Sequence, residues 1–558
     1  MPGGVRGQIA VATAAAIAVA ALLAPFVTGA PAGARTPEPA QAAATDCHAH
    51  APPLLHDGFP EPPLLYSRDG RLDVKLRAAA GPARMGRMRV NAWSYDGSVP
   101  GPTMVICAGD HVTVHLENEL PEATNLHTHG FHVSPEGNSD NIFLRVEPHQ
   151  QFTYEYDIPG DMSPGSYWYH PHVHMHVENQ IFQGLAGAIV EEGGPLDTLP
   201  AMRHIPQRWI VLENTEVRHG RVLAPDESTE TGSRVYVNGT LDPTAKIRPG
   251  QLQRWRIFNA SADRVLVLRM SGGPKGGSPF LLLAEDGHTL ARARSVRTLM
   301  IAPSSRREVL VRGGPPGSYA LKAIPFAQFP GGEKAANGGP VPNQTLLTVR
   351  SAGRAMRRRA PTGTLSHPED LRGKPVARER TIQFSEMVEP SGVSRFELNG
   401  MTFDPNRTDV TMKLDSIEKW TLVNTTHEWH TFHMHIDDFQ VVSRNGIPVP
   451  YVEDADNVAI APGSRTVVLI EATDFTGRFV FHCHVTLHED RGMMATIEVV
   501  REPSAAASRS SVVRHGGLAI SSSAYGYPAT GHARGAPPAL GEPPLFWCDP
   551  RRRRGRAA

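Results

Sequence analysis

Between residues 70 and 500 the apolar positions fall in short β-branched runs, such as Val112-Thr113-Val114 and Val467-Val468-Leu469-Ile470, set between Gly, Pro, Asn and Asp turns. Long helical periodicity is scarce. Short alternating strands bounded by turn residues predict an all-β chain of antiparallel β-sandwiches. A repeat sharpens that reading. Gly109 to Asn118 (GDHVTVHLEN), Gly250 to Asn259 (GQLQRWRIFN) and Asp415 to Asn424 (DSIEKWTLVN) are three turn-then-strand units, each closing on Asn, with starts 141 and 165 residues apart. A second anchor opens a later strand in each unit: Gly165-Ser166-Tyr167, Gly317-Ser318-Tyr319 and Gly477-Arg478-Phe479. Domain-sized periods predict three consecutive sandwiches of similar topology, at 47–200, 203–352 and 376–502. The second linker, with Arg357, Arg358, Arg359, Pro361 and Gly363, is polar and rich in breakers, as a boundary should be.

Counting from the anchors sorts the histidines. Nine residues past Asn118 comes His127 with His129 after it, and nine past Asn424 comes His433 with His435. The middle repeat has Leu268 and Met270 there. Five and seven residues past the second anchor stand His170 and His172, then His482 and His484, against Lys322 and Ile324 in the middle. Residues i and i+2 of a strand share a face, so each His-x-His pair presents two imidazoles to one side. The chain holds seven such pairs, against about one expected by chance for 26 histidines in 558 residues. The third repeat adds Cys483 between its two histidines, on the opposite face, with His430, His488 and Met493 nearby. A thiolate, two imidazoles and a weak thioether make a blue-copper electron-transfer site. Pro171 stands where the first repeat would need a cysteine, so there is one such site.

Composition narrows the partners. Fifty-six Lys+Arg balance 56 Asp+Glu, so no global field attracts nucleic acid or an anionic membrane. Four cysteines exclude a disulfide scaffold. Residues 1–34 carry Arg6, an uncharged apolar stretch from about Ile9 to Val27, and small residues up to Ala34, the pattern of a secretory signal. No later segment approaches the ~20 apolar residues of a membrane span, so a secreted extracellular or cell-envelope protein, without stable membrane insertion after cleavage, is expected. Residues 503–558 form a low-complexity tail ending in Arg551, Arg552, Arg553 and Arg554, interrupted by the apolar Pro543 to Cys548.

From about 60 to 500 the sequence resembles the multicopper oxidases, the family of laccases and metallo-oxidases. The match rests on His127-Thr-His129-Gly, Trp168-Tyr-His170-Pro-His172, His430-Thr-Phe-His433-Met-His435 and His482-Cys-His484-x-x-x-His488-x-x-x-x-Met493. The resemblance implies cupredoxin-like Greek-key sandwiches and four copper ions. His430, Cys483, His488 and axial Met493 would hold the type 1 copper, and His127 with His433 the type 2. His129, His170, His172, His435, His482 and His484 would hold the type 3 pair. The implied chemistry is four one-electron oxidations of a small reducing substrate, coupled to reduction of dioxygen to two waters by a monomeric enzyme. Asp140 and Glu489 stand where family members place acids that assist proton delivery. A phenolic, laccase-type reductant is expected first. A metallo-oxidase of Cu(I), Fe(II) or Mn(II) is the alternative, and a non-catalytic scaffold of the cell envelope ranks below both. His174 and His176 make the frame of the second motif ambiguous and are either spare or ligands for extra metal. Asp437 and Asp438 place negative charge near the type 1 edge. The resemblance also implies a Cys107–Cys548 disulfide tying the tail to the first sandwich, with Cys47–Cys548 or a free Cys107 as rivals.

Overall fold

The computed structural model describes residues 47–229, 232–272, 279–329 and 343–501. Six sheets fall into three pairs, each closed on its own apolar core. The strand Arg71–Met85 shows how: its first eight residues alternate exposed and buried, turning Leu72, Val74, Leu76 and Ala78 inward. In the third pair Trp420, Phe432 and Phe481 are buried against one another.

The sheets are mixed, where the sequence predicts antiparallel ones. Arg71–Met85 turns directly into Met88–Tyr95 and pairs antiparallel with it, but pairs parallel with His111–Glu119. The intervening strand Thr103–Cys107 belongs to the opposite sheet, so the chain crosses over and returns in the same direction. One short hairpin, Val217–Arg218 with Arg221–Val222, leaves the second stretch of chain and extends the seven-stranded sheet of the first sandwich, pairing Arg221 with Asn91.

The repeated asparagine has a structural cause. Asn259 and Asn424 each end a strand and Asn118 stands one residue from the end of its own, and each side-chain amide donates to carbonyls of the loop that follows and of a second chain segment. Each side-chain oxygen accepts from the amide two residues on. That clamp sets where the next strand begins, and in the first and third repeats that strand carries the histidines.

Cys107 is bonded to Cys47, a pairing outside those expected. Segment 47–55 returns along the strand Gln207–Thr215, held by Leu55 N–H to Gln207 O and Gln207 N–H to Pro53 O. This brings Cα atoms 60 residues apart in sequence to within 6.0 Å. Cys548, the other half of the expected bridge, lies outside the described residues. No helix among the described residues is long and apolar enough to cross a membrane.

Candidate metal centre

Register brings the histidines together. The strand His127–His129 lies antiparallel to Ser166–His170 with His127 opposite His170. His430–Met434 lies antiparallel to Gly477–Cys483 with His433 opposite His482. In the middle sandwich Leu268 lies opposite Ala323, one residue on from Lys322, and both are core. The four His-x-His pairs meet between the first and third sandwiches, every one of the eight rings at most 1% exposed.

They gather as overlapping triads: His127, His129 and His433; His129, His170 and His484; His172, His435 and His482. In the last, three Nε2 atoms stand 3.1, 3.1 and 3.2 Å apart. A neutral ring nitrogen either carries a proton or a lone pair toward its neighbours, never both. A triangle of such atoms therefore keeps at least one donor–donor or acceptor–acceptor edge, and hydrogen bonding alone cannot satisfy it. A cation at the centre can: ligand nitrogens ~2.0 Å from a tetrahedral ion lie about 3.3 Å apart. Elsewhere the outer nitrogens are anchored, His127 Nδ1 to Asp140 at 2.9 Å, His433 Nδ1 to Asp456 O at 2.8 Å and His170 Nδ1 to Pro171 O at 2.9 Å. The buried Nε2 atoms of these three rings have no protein partner, an arrangement that costs free energy unless a ligand takes them up. Burial holds the imidazoles below their ordinary range, His172 at about 4 and His482 at about 3, so they are neutral with lone pairs available.

Two carboxylates back this cluster. Asp140 accepts from His127 and from the Thr128 backbone N–H and hydroxyl, and lies 3.8 Å from His435 Nδ1. Glu489 reaches His482 Nδ1 at 3.1 Å and His172 Nδ1 at 3.5 Å. Burial pushes both acids up to about 7, Asp140 against the lowering effect of the Thr128 hydrogen bonds and Glu489 against that of His172. Both can therefore gain and lose protons near neutrality.

The second centre lies on the other face of Cys483. Its Sγ stands 3.5 Å from His430 Nδ1 and 3.7 Å from His488 Nδ1, and those two nitrogens are 3.1 Å apart. Thr426 Oγ1 sits at 2.8 Å from His430 Nε2, and Glu428 at 3.1 Å from His488 Nε2, which turns both Nδ1 atoms inward. The turn after Thr486–Asp490 returns Met493 to the site: its N–H donates to His488 O, and its carbonyl accepts from Cys483 N–H. Phe396 stacks on His488 at 4.0 Å and Phe384 on His430 at 5.6 Å. Burial pushes the Cys483 thiol up to about 12, so a thiolate here needs a cation beside it. A soft sulfur with two imidazoles suits copper, and the residues fit the metal that the motifs imply.

The structure thus gathers His127, His129, His170, His172, His433, His435, His482 and His484 at one centre, with Asp140 and Glu489 behind them, and His430, Cys483, His488 and Met493 at the other. His174 packs against Phe403, and His176 Nδ1 lies 3.2 Å from Glu122. Asp437 is buried at 3% exposure and faces His132, while Asp438, partly exposed, pairs with His288 at 3.0 Å, so the negative charge expected near the type 1 edge is engaged by histidines of the first two sandwiches. Their strand-end loop packs under neighbouring segments that the local sequence does not reveal. Glu428, Arg306, Asp456 and Asn457 went unnoticed in the sequence. A signal existed for Arg306, since Ile301-Ala-Pro-Ser-Ser-Arg306 repeats as Ile460-Ala-Pro-Gly-Ser-Arg465.

Two family profiles, both described as multicopper oxidase, match residues 79–193 and 374–503. A multicopper oxidase of Staphylococcus haemolyticus is 27% identical over 73% of this chain and 84% of its own. The cell division protein FtsP of Edwardsiella tarda is 28% identical over 71% of this chain and 82% of its own. A laccase-like multi-copper oxidase of Ochrobactrum sp., described as active towards lignin model compounds, shares the fold with a TM-score of 0.66 and 26% identity, over 79% of this chain and all of that one.

Proposed function

The chain belongs to the multicopper oxidase family, and on that premise we propose that it couples four one-electron oxidations of a small phenol-type reductant to the reduction of dioxygen to two waters. The observation that carries this reading is the run His482-Cys483-His484: the sulfur belongs to one centre and both chain neighbours to the other. In the proposed assignment His430, Cys483, His488 and Met493 hold type 1 copper and His127 with His433 the type 2. His129, His170 and His484 hold one type 3 ion, and His172, His435 and His482 the other. When bound, these four coppers supply one-electron redox steps and a site for oxygen. The protein supplies the rest. The Cys483 backbone is a covalent route of one residue between the centres, and Asp140 and Glu489 hold protons at the backs of ligand rings, where oxygen reduction consumes them. The signal-like first 34 residues accompany this reading with export as a soluble monomer.

The likeness to the laccase-like Ochrobactrum protein supports a phenolic reductant. One observation favours a metal ion instead: Glu428 sits against His488 Nε2 with its carboxyl 14% exposed, and Glu386, the cross-strand partner of Phe396, is exposed beside it. Oxygen uptake by copper-loaded protein, comparing a dimethoxyphenol with cuprous ion and using Cys483→Ser as the blank, separates the two. Faster uptake with the phenol is the expected result. Faster uptake with the cation transfers the assignment to a metallo-oxidase, and no uptake with either leaves the non-catalytic scaffold of the cell envelope.

A further inference from the structure

The middle sandwich has no histidines at the positions where its neighbours carry them, yet it sends one side chain to the cluster. Arg306, on the strand Arg306–Arg312, is 1% exposed. Its guanidinium grips Asp456 in a fork, Nη1 to Oδ1 at 2.8 Å and Nη2 to Oδ2 at 2.5 Å, while Nε donates to Ser166 O at 2.8 Å. Asp456 belongs to the third sandwich and Ser166 to the strand that ends in His170, so one cation clamps both outer sandwiches beside the metal ligands.

Asp456 then acts on two histidines. Its carbonyl accepts from His433 Nδ1, which turns that ring's Nε2 to the cluster. Its carboxylate oxygen Oδ1 lies 3.6 Å from His129 Nε2, and the side-chain amide of Asn457 lies 2.9 Å from the same nitrogen. Asn457 contacts Asp456 Oδ1 and is steadied from the middle sandwich by Ser304 Oγ at 2.7 Å. His129 Nδ1 has no protein partner, and neither do the Nε2 atoms of His127, His170 and His433. Outer-shell partners of this kind fix which imidazole nitrogen is free to bind and how the ring points.

We propose that Arg306, acting through Asp456, is a positioning residue that holds the His433 and His129 rings in place at the cluster, so that the ligand-free middle sandwich determines the geometry of the oxygen-reducing cluster. This rests on the copper reading above. Arg306→Met alone strands a buried carboxylate and risks the fold, so the decisive variant is the double Arg306→Met/Asp456→Asn, which removes both charges and keeps the backbone carbonyl that holds His433. The measurements are copper per chain, the blue thiolate-to-copper absorbance, and the electron paramagnetic resonance spectrum. The expected result is unchanged blue absorbance per protein, with cluster copper bound about 10–100-fold more weakly and an altered resonance from the cluster ions. Arg306→Lys, which keeps the charge but not the fork, should fall between the double variant and the parent. Parental copper content and spectrum in the double variant overturn the proposal. So does a proportional loss of blue absorbance and cluster copper, which would make Arg306 a residue of general folding. A parent that takes up no copper removes the copper reading and the proposal with it, and is recognised before any variant is made.

Discussion

The two centres share Cys483 and its neighbours but are walled differently. Behind the eight-histidine cluster stand carboxylates, Asp140 and Glu489, each within reach of two ligand rings. Around the cysteine centre stand rings, with Phe384 and Phe396 stacked on its histidines and the acids Glu428 and Glu386 only at its outer edge. Aromatic walls exclude water from the ring faces, which suits a site that passes electrons, and the acid that touches it, Glu428, pushed up to about 7 by burial, stands at the rim. Buried acids with affinities near neutrality suit a site that consumes protons with its electrons. The contrast agrees with the two tasks proposed for the centres.

Three experiments probe that contrast. The largest effect is expected from Cys483→Ser, which should abolish the blue colour and drop oxygen uptake to that of metal-free protein while the fold survives. A variant that stayed blue would break the assignment. Glu489→Gln should slow reoxidation of the reduced enzyme by about 100-fold and leave anaerobic bleaching of the blue band by reductant unchanged. Equal slowing of both half-reactions would erase the division of labour. Phe396→Ala removes a ring 3% exposed and packed on His488, and should cost about 3–5 kcal/mol in unfolding free energy; chemical denaturation would read it.

The smallest effect concerns a pair outside both centres. Burial lowers the affinity of His288 for its proton, but Asp438 at 3.0 Å outweighs this and holds the imidazole at about 9. A raised value means stability fully present below the unfolded value of about 6.5 and lost as pH rises through about 9. His288→Gln should therefore lower the melting temperature near about pH 6, by an amount worth under about 1 kcal/mol for a pair with one partner still partly exposed, and have no effect near about pH 10.

Much of this was legible in the chain because strand register is arithmetic. A period of two and an anchored turn sufficed to place His127, His433, His170 and His482, and the structure sets them opposite one another in pairs. The β-sandwich fold followed from the same pattern. The crossovers that make the sheets mixed, and the Cys47–Cys107 bond, depend on which segments meet after long excursions, and local pattern does not record that. The same holds for Arg306, whose partners Ser166 and Asp456 lie 140 residues before and 150 after it. The engagement of Asp437 and Asp438 was hidden for the same reason, since their partners His132 and His288 each lie more than 140 residues away in sequence.

The hairpin at 217–222 bears on how the chain can be divided. A fragment ending near residue 200 would lose the neighbour of Asn91, leaving the strand Met88–Tyr95 with an open edge of unpaired amides and carbonyls. Bare edges recruit other strands, so such a fragment should self-associate. The first sandwich is therefore not a portable part: recombination among relatives that cuts between the first two repeats would sever a sheet rather than a linker.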